Sequence, residues 1–134
     1  MFTSINKLNL TYIKSKTYEV ITLKIIDVKN IPIANTPHNV DVRKLFSYEH
    51  ATIVCITLKT GEALKLHKTP VDVCFYILDG QGIVEIGNEM ENVKKDQLIF
   101  SPAKIPHRLK SNSNGDFRFL VIKTPTPTTE TKML

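Results

Sequence analysis

A succession of short β-rich runs, each closed by Gly, Pro, Asn or Asp and with no amphipathic helix between them, constrains this chain most. In residues 17–28, Tyr18, Val20 and Thr22 alternate with Glu19, Ile21 and Leu23. His50–Lys59 is a second run and stops at Thr60-Gly61. Ala63–His67 reads as a short strand, and Val71–Leu78 as a longer one that ends at Asp79-Gly80-Gln81-Gly82. Ile83–Ile86 and Met90–Val93 flank Gly87-Asn88-Glu89 and predict a β-hairpin. Gln97–Ser101, His107–Ser111 and Phe117–Lys123 complete the series, with Pro102 and Pro106 fixing one loop and Asn112–Asp116 supplying a turn. Strands at this spacing predict an all-β sandwich or barrel.

Composition narrows the class. The 134 residues suffice for one domain with its own core. The longest apolar run, Val73–Leu78, is too short to span a bilayer, so no membrane partner is expected. Met1–Lys14 has no apolar stretch of the secretory kind, and Cys55 and Cys74 form no CxxC pair. A cytoplasmic location with reduced, buried thiols is the expectation. The net charge of +5 sets 18 basic residues, of which only three are Arg, against 13 acidic ones. The basic residues are spread over the chain with no interleaved aromatics, so no nucleic-acid partner is expected. An anionic small molecule is the alternative use of that charge. No GxSxG, P-loop, GxGxxG or HExxH motif occurs, and no catalytic residue is assigned.

Two histidines stand out by context. His67 lies six residues after Gly61 and thirteen before Gly80. His107 directly follows Pro106 at the close of the two-proline loop. The stretches Gly61–Gly80 (G-E-A-L-K-L-H-K-T-P-V-D-V-C-F-Y-I-L-D-G) and Asp96–His107 (D-Q-L-I-F-S-P-A-K-I-P-H) together resemble the two motifs of the cupin superfamily, over about 50 residues. The resemblance implies a double-stranded β-helix, or jelly-roll barrel, over 31–123. Residues 1–30 would add N-terminal strands packing on the barrel or swapping into a partner, and 124–134, rich in Thr and Pro, would form a mobile tail. Small cupins commonly pair through their sheets, so a homodimer is expected.

The family's usual metal ligands are three His and one Glu. The resemblance places His67 and His107 at two of these positions, Thr69 at the third and Val73 at the fourth. Asp96 and Lys104 stand where the second motif carries glycine. Two imidazoles alone make a weak, exchangeable site, because catalytic metals keep at least three protein ligands. The divalent metal options are Zn, Fe, Mn or Ni, and otherwise no cofactor. A third ligand would have to be recruited. His38, in a loop after Pro37, could fold over the barrel mouth, whereas Asp72 and Cys74 have the wrong strand parity. Parity also puts Lys65, His67 and Thr69 on one face of a strand, where Lys65 either favours an anion or lies at the rim with its ammonium in water. The resulting expectation is a small-molecule-binding protein using Lys65, His67, Thr69 and His107, with a weak metal on the two imidazoles. The alternatives are a metal-dependent isomerase, lyase or dioxygenase recruiting His38, and an inert structural dimer.

Overall fold

A computed structural model describes residues 23–134. Ten strands form two five-stranded antiparallel sheets. The strands are β1 Asp41–Tyr48, β2 Ala51–Leu58, β3 His67–Lys68, β4 Asp72–Asp79 and β5 Gln81–Ile86. They continue as β6 Glu89–Lys94, β7 Leu98–Ser101, β8 His107–Ser111, β9 Phe117–Thr124 and β10 Lys132–Met133. One sheet runs β1-β2-β9-β4-β7 and the other β10-β3-β8-β5-β6. The chain passes from one sheet to the other between β2 and β3, β3 and β4, β4 and β5, β6 and β7, β7 and β8, β8 and β9, and β9 and β10, which is the winding of a double-stranded β-helix. Among the described residues no helix is long and apolar enough to cross a membrane.

Period-two patterning builds the core. Phe117, Phe119 and Val121 of β9 point inward, as do Val73, Phe75 and Ile77 of β4 and Val54, Ile56 and Leu58 of β2. Leu109 and Val84 meet them from the opposite sheet. Burial of each large apolar side chain stabilises the sandwich by roughly 1.5–3 kcal/mol.

Two glycines set the corner between the sheets. Gly80 sits at φ 80°, a conformation open to Gly and costly for other residues. A Cβ on Gly82 would lie 2.4 Å from both the Lys110 carbonyl oxygen and Phe117 Cε2, so β5 passes its neighbours only without a side chain there. Asp96 and Lys104, where the motif carries glycine, keep the left-handed backbone at φ 68° and 67°. The substitutions therefore leave the loop path intact, and the Lys104 N–H donates to the Thr69 carbonyl at 2.8 Å.

The structure departs from the sequence expectation in several places. β1 has no counterpart in the sequence reading, because a bulge between Lys44 and Phe46 breaks its alternation. The strand expected over Ala63–His67 is reduced to His67–Lys68, with Ala63 making an isolated bridge to Lys110. Of the β-rich stretch 17–28, residues 17–22 lie outside those described, residues 23–27 form no regular element, and Val28–Asn30 is a single 3-10 turn. Within the Thr/Pro tail, β10 pairs with β3 and sets Met133 opposite His67, a strand the sequence did not predict.

Candidate functional site

His67 and His107 face each other across β3 and β8 as direct register partners. In an antiparallel pair that places both side chains on one face, here the inside of the barrel. β3 ends at Lys68, Thr69 and Pro70 follow it, and the Pro102–Pro106 loop delivers His107 to the start of β8. His107 is 1% exposed, His67 7% and Thr69 2%.

A connected hydrogen-bond network fixes the imidazoles. His67 Nδ1 lies 2.7 Å from the Lys65 carbonyl oxygen. That oxygen can only accept, so His67 carries its proton on Nδ1 and leaves the Nε2 lone pair free. His107 Nε2 lies 3.2 Å from His67 Nε2 and donates to it. The same N–H is within 3.3 Å of Thr69 Oγ1. His107 Nδ1 then accepts from the Ser101 hydroxyl at 2.6 Å, and Ser101 is fully buried. The edge of Phe75 packs against His107 with ring centres 5.2 Å apart.

His38 completes a row of three rings. Its centre is 4.6 Å from that of His67, which is in turn 4.6 Å from that of His107. The His38 Nδ1 accepts from the Lys65 N–H at 3.0 Å. Lys65 thus serves the site through its main chain. Its side chain is exposed and does not line the cavity. An inward Lys65 requires a strand running through residue 65. The strand begins at His67 instead, and Leu64 rather than Lys65 turns inward.

The three imidazoles are held neutral. Burial first, then His67 and Lys123, bring His107 down to about 3 from an ordinary 6.5. Burial, His67, Lys123 and Lys65 bring His38 down to about 4. Burial lowers His67 as well, partly opposed by its bond to the Lys65 carbonyl. Neutral rings present both a donor and an acceptor, which suits carbonyl and hydroxyl groups of a ligand.

These side chains open onto a cavity of about 520 Å³. Val42, Val54, Ile56, Phe75 and Val121 form apolar walls, and Lys44 and Lys123 also line it. The tail closes one side with Pro127, Glu130 and Met133. A volume of this size suits a small organic molecule. Sequence reasoning missed Ser101, Thr36, Lys44 and Lys123. Lys123 had a readable signal, since it continues the inward series Phe117, Phe119, Val121.

The donors do not fit a tightly held metal. The 3.2 Å between the two Nε2 atoms is close to the bite of two nitrogens on one ion at about 2.0–2.1 Å. Two corners are all that the site supplies. Thr69 and Val73 bring neither imidazole nor carboxylate, and His38, whose Nδ1 accepts from the Lys65 N–H, carries its proton on Nε2 and has no free lone pair in this network. Among the described residues no group of three His, Cys, Asp or Glu is placed to hold an ion.

Residues 54–123 match the family described as Cupin domain. An uncharacterized protein of Methanocaldococcus jannaschii is 34% identical over 67 residues, 48% of this chain and 53% of that protein. The chain therefore spans about half the length of that curated relative. A crystal structure from Thermus thermophilus superimposes with a TM-score of 0.67 at 27% identity, covering 78% of this chain and 100% of the other. A double-stranded β-helix protein of Methanocaldococcus jannaschii, described as RmlC-like, gives 0.67 at 21% identity over 81% of this chain and 95% of its own.

Proposed function

This chain belongs to the cupin domain family, and from that premise we propose that its barrel cavity binds a small organic molecule through neutral imidazoles and without a resident metal. The observation that carries the proposal is the buried His67–His107 pair, Nε2 atoms 3.2 Å apart, opening with Thr69 onto a cavity of about 520 Å³. The two Nε2 atoms bond to each other, so a ligand shares the His107 N–H or replaces it at the His67 lone pair, and the Thr69 hydroxyl keeps its own proton to donate. Phe75 and the aliphatic walls take the ligand's apolar part. The two imidazoles offer a divalent ion only a weak and exchangeable hold.

Pairing of two copies through the β1-β2-β9-β4-β7 sheet belongs to the same proposal. On its outer face the register sets Ile53, Ile122, Cys74 and Phe100 in one row and Cys55, Leu120, Tyr76 and Leu98 in the next. Phe100 and Leu98 are 56% and 62% exposed. A second copy would cover these rings and chains.

The test is a saturation-transfer NMR screen of small acids, their amides and their alcohols against the untagged, chelator-treated protein. Binders are expected to lose their signal in the His67→Ala, His107→Ala double variant while that variant keeps the wild-type circular dichroism. Elemental analysis of the untagged protein is expected to give far less than one transition metal per chain. Near-stoichiometric metal that disappears in the double variant overturns the metal-free reading in favour of a metal-dependent one. The absence of any histidine-dependent binder overturns the proposal.

A further inference from the structure

Lys123 has no role in the core and none in the motifs, yet it points into the barrel. On β9 the inward positions are Phe117, Phe119 and Val121, exposed by 0%, 0% and 7%, and Lys123 is next in that series. Its register partners are Thr52 on β2 and Val73 on β4. Lys44, inward by the parity of Val42 and opposite Val54, lines the same cavity. Val73 occupies the position at which the first motif carries its carboxylate. An ammonium thus stands across from the place where the motif puts a negative charge.

Among the described residues Lys123 has no ion-pair partner. The single carboxylate lining the cavity, Glu130, is exposed and does not reach it. Taking an ammonium out of water without a partner is costly. A second polar group is left unmet nearby: the Thr36 Oγ1 is buried, lines the cavity with its residue and has no hydrogen-bond partner.

We infer that Lys123 is the anion receptor of this cavity and that the ligand is a small organic carboxylate with an apolar body. Its carboxylate meets the Lys123 ammonium, its body lies along Val54, Ile56 and Phe75, and a carbonyl or hydroxyl faces His67, His107 and Thr69. The inference rests on the small-molecule reading above and adds the ligand's charge class and the residue that selects it. A carboxylate is favoured over a phosphate because the cavity offers one half-buried ammonium and one exposed lysine, and no Arg. A phosphate dianion calls for more donors than these. The same positive charge disfavours a metal cation between His67 and His107. Burial and Lys44 together lower the pKa of Lys123, in keeping with a site waiting for an anion.

The test compares benzoate with benzamide, which share a shape and differ in charge. Calorimetry on the untagged, chelator-treated protein is expected to show benzoate binding at least about tenfold more tightly, or about 1.4 kcal/mol. Lys123→Met is expected to remove that preference and leave benzamide binding in place, Lys123→Arg to retain it, and Lys95→Met, on the exposed surface away from the cavity, to change nothing. In protein bearing ¹³C-methylated lysines, the Lys123 signal should shift saturably with benzoate and not with benzamide. Equal binding of the two probes, or a preference that survives Lys123→Met, overturns the inference and leaves the small-molecule reading standing. Failure of both probes to bind counts against both.

Discussion

His107 is buried among groups that would all be worsened by a proton on it. Ser101 donates to its Nδ1, and its Nε2–H is already spent on His67 and Thr69. Its folded pKa of about 3 and that of His38 near 4 lie below the ordinary 6.5. As pH falls below about 6.5, the unfolded chain takes up protons that the folded site refuses, so stability falls. The loss continues to about pH 4 for His38 and about pH 3 for His107, and above about 6.5 these rings contribute no pH dependence. Urea unfolding across that window is expected to show the decline. A His38→Gln, His107→Gln variant is expected to show a flatter profile, and an unchanged slope would contradict the buried neutral pair. At this scale the sequence was informative where a motif named a position: His67, Thr69 and His107 do converge. It failed where a side chain's direction depended on where a strand starts. For Lys65 the sequence left inward and rim positions open, because the alternation that would turn it inward begins only at His67, and Lys123 passed unnoticed as the polar end of an apolar strand.

The elements that place these residues depend on two close approaches. Gly82 lets β5 pass 2.4 Å, measured from a would-be Cβ, from Lys110 and the Phe117 ring. Gly82→Ala must push Phe117 or the β5–β8 ladder aside, and a stability loss of about 1–3 kcal/mol is expected in denaturant titration. A loss under about 0.5 kcal/mol would mean that the corner is looser than described. The tail is the second device. Thr126 bonds to Thr52 at 2.8 Å, β10 pairs with β3, and Pro127, Glu130 and Met133 wall the cavity between. Removing 126–134 is expected to leave the barrel folded and to raise the ligand's dissociation rate several-fold in stopped-flow measurements. An unchanged rate would show that the tail does not retain the ligand. Most strands were legible because their alternation is clean and their turns carry Gly, Asn or Pro. β1 was not, because its bulge shifts the inward set midway, and β10 was not, because two residues of pairing leave no pattern in a Thr/Pro tail.

For the whole molecule, one sheet carries apolar side chains on both sides, the outer ones flanked by Arg43 and Arg118. Its inner face is the core, and its outer face carries Ile122, Leu120, Tyr76, Leu98 and Phe100. Sedimentation velocity at micromolar concentration is expected to give a dimer, and Leu98→Lys with Phe100→Lys a monomer that still binds ligand. A wild-type monomer would contradict pairing through this face. Among the described residues the lysines divide in the same way, most on the surface and Lys44 and Lys123 at the cavity. The central claim is that the cavity beside His67 and His107 holds an organic molecule where the family's usual ligand set would hold a metal. A crystal structure of the untagged, chelator-treated protein grown with a carboxylate shown to bind in solution tests it most directly. The account predicts the ligand in the barrel, its carboxylate at Lys123 and a polar group within hydrogen-bond distance of His67, His107 or Thr69, with no anomalous peak between the imidazoles. A ligand outside the barrel, a cavity closed by side chains, or a metal ion held there by a third protein ligand would contradict it.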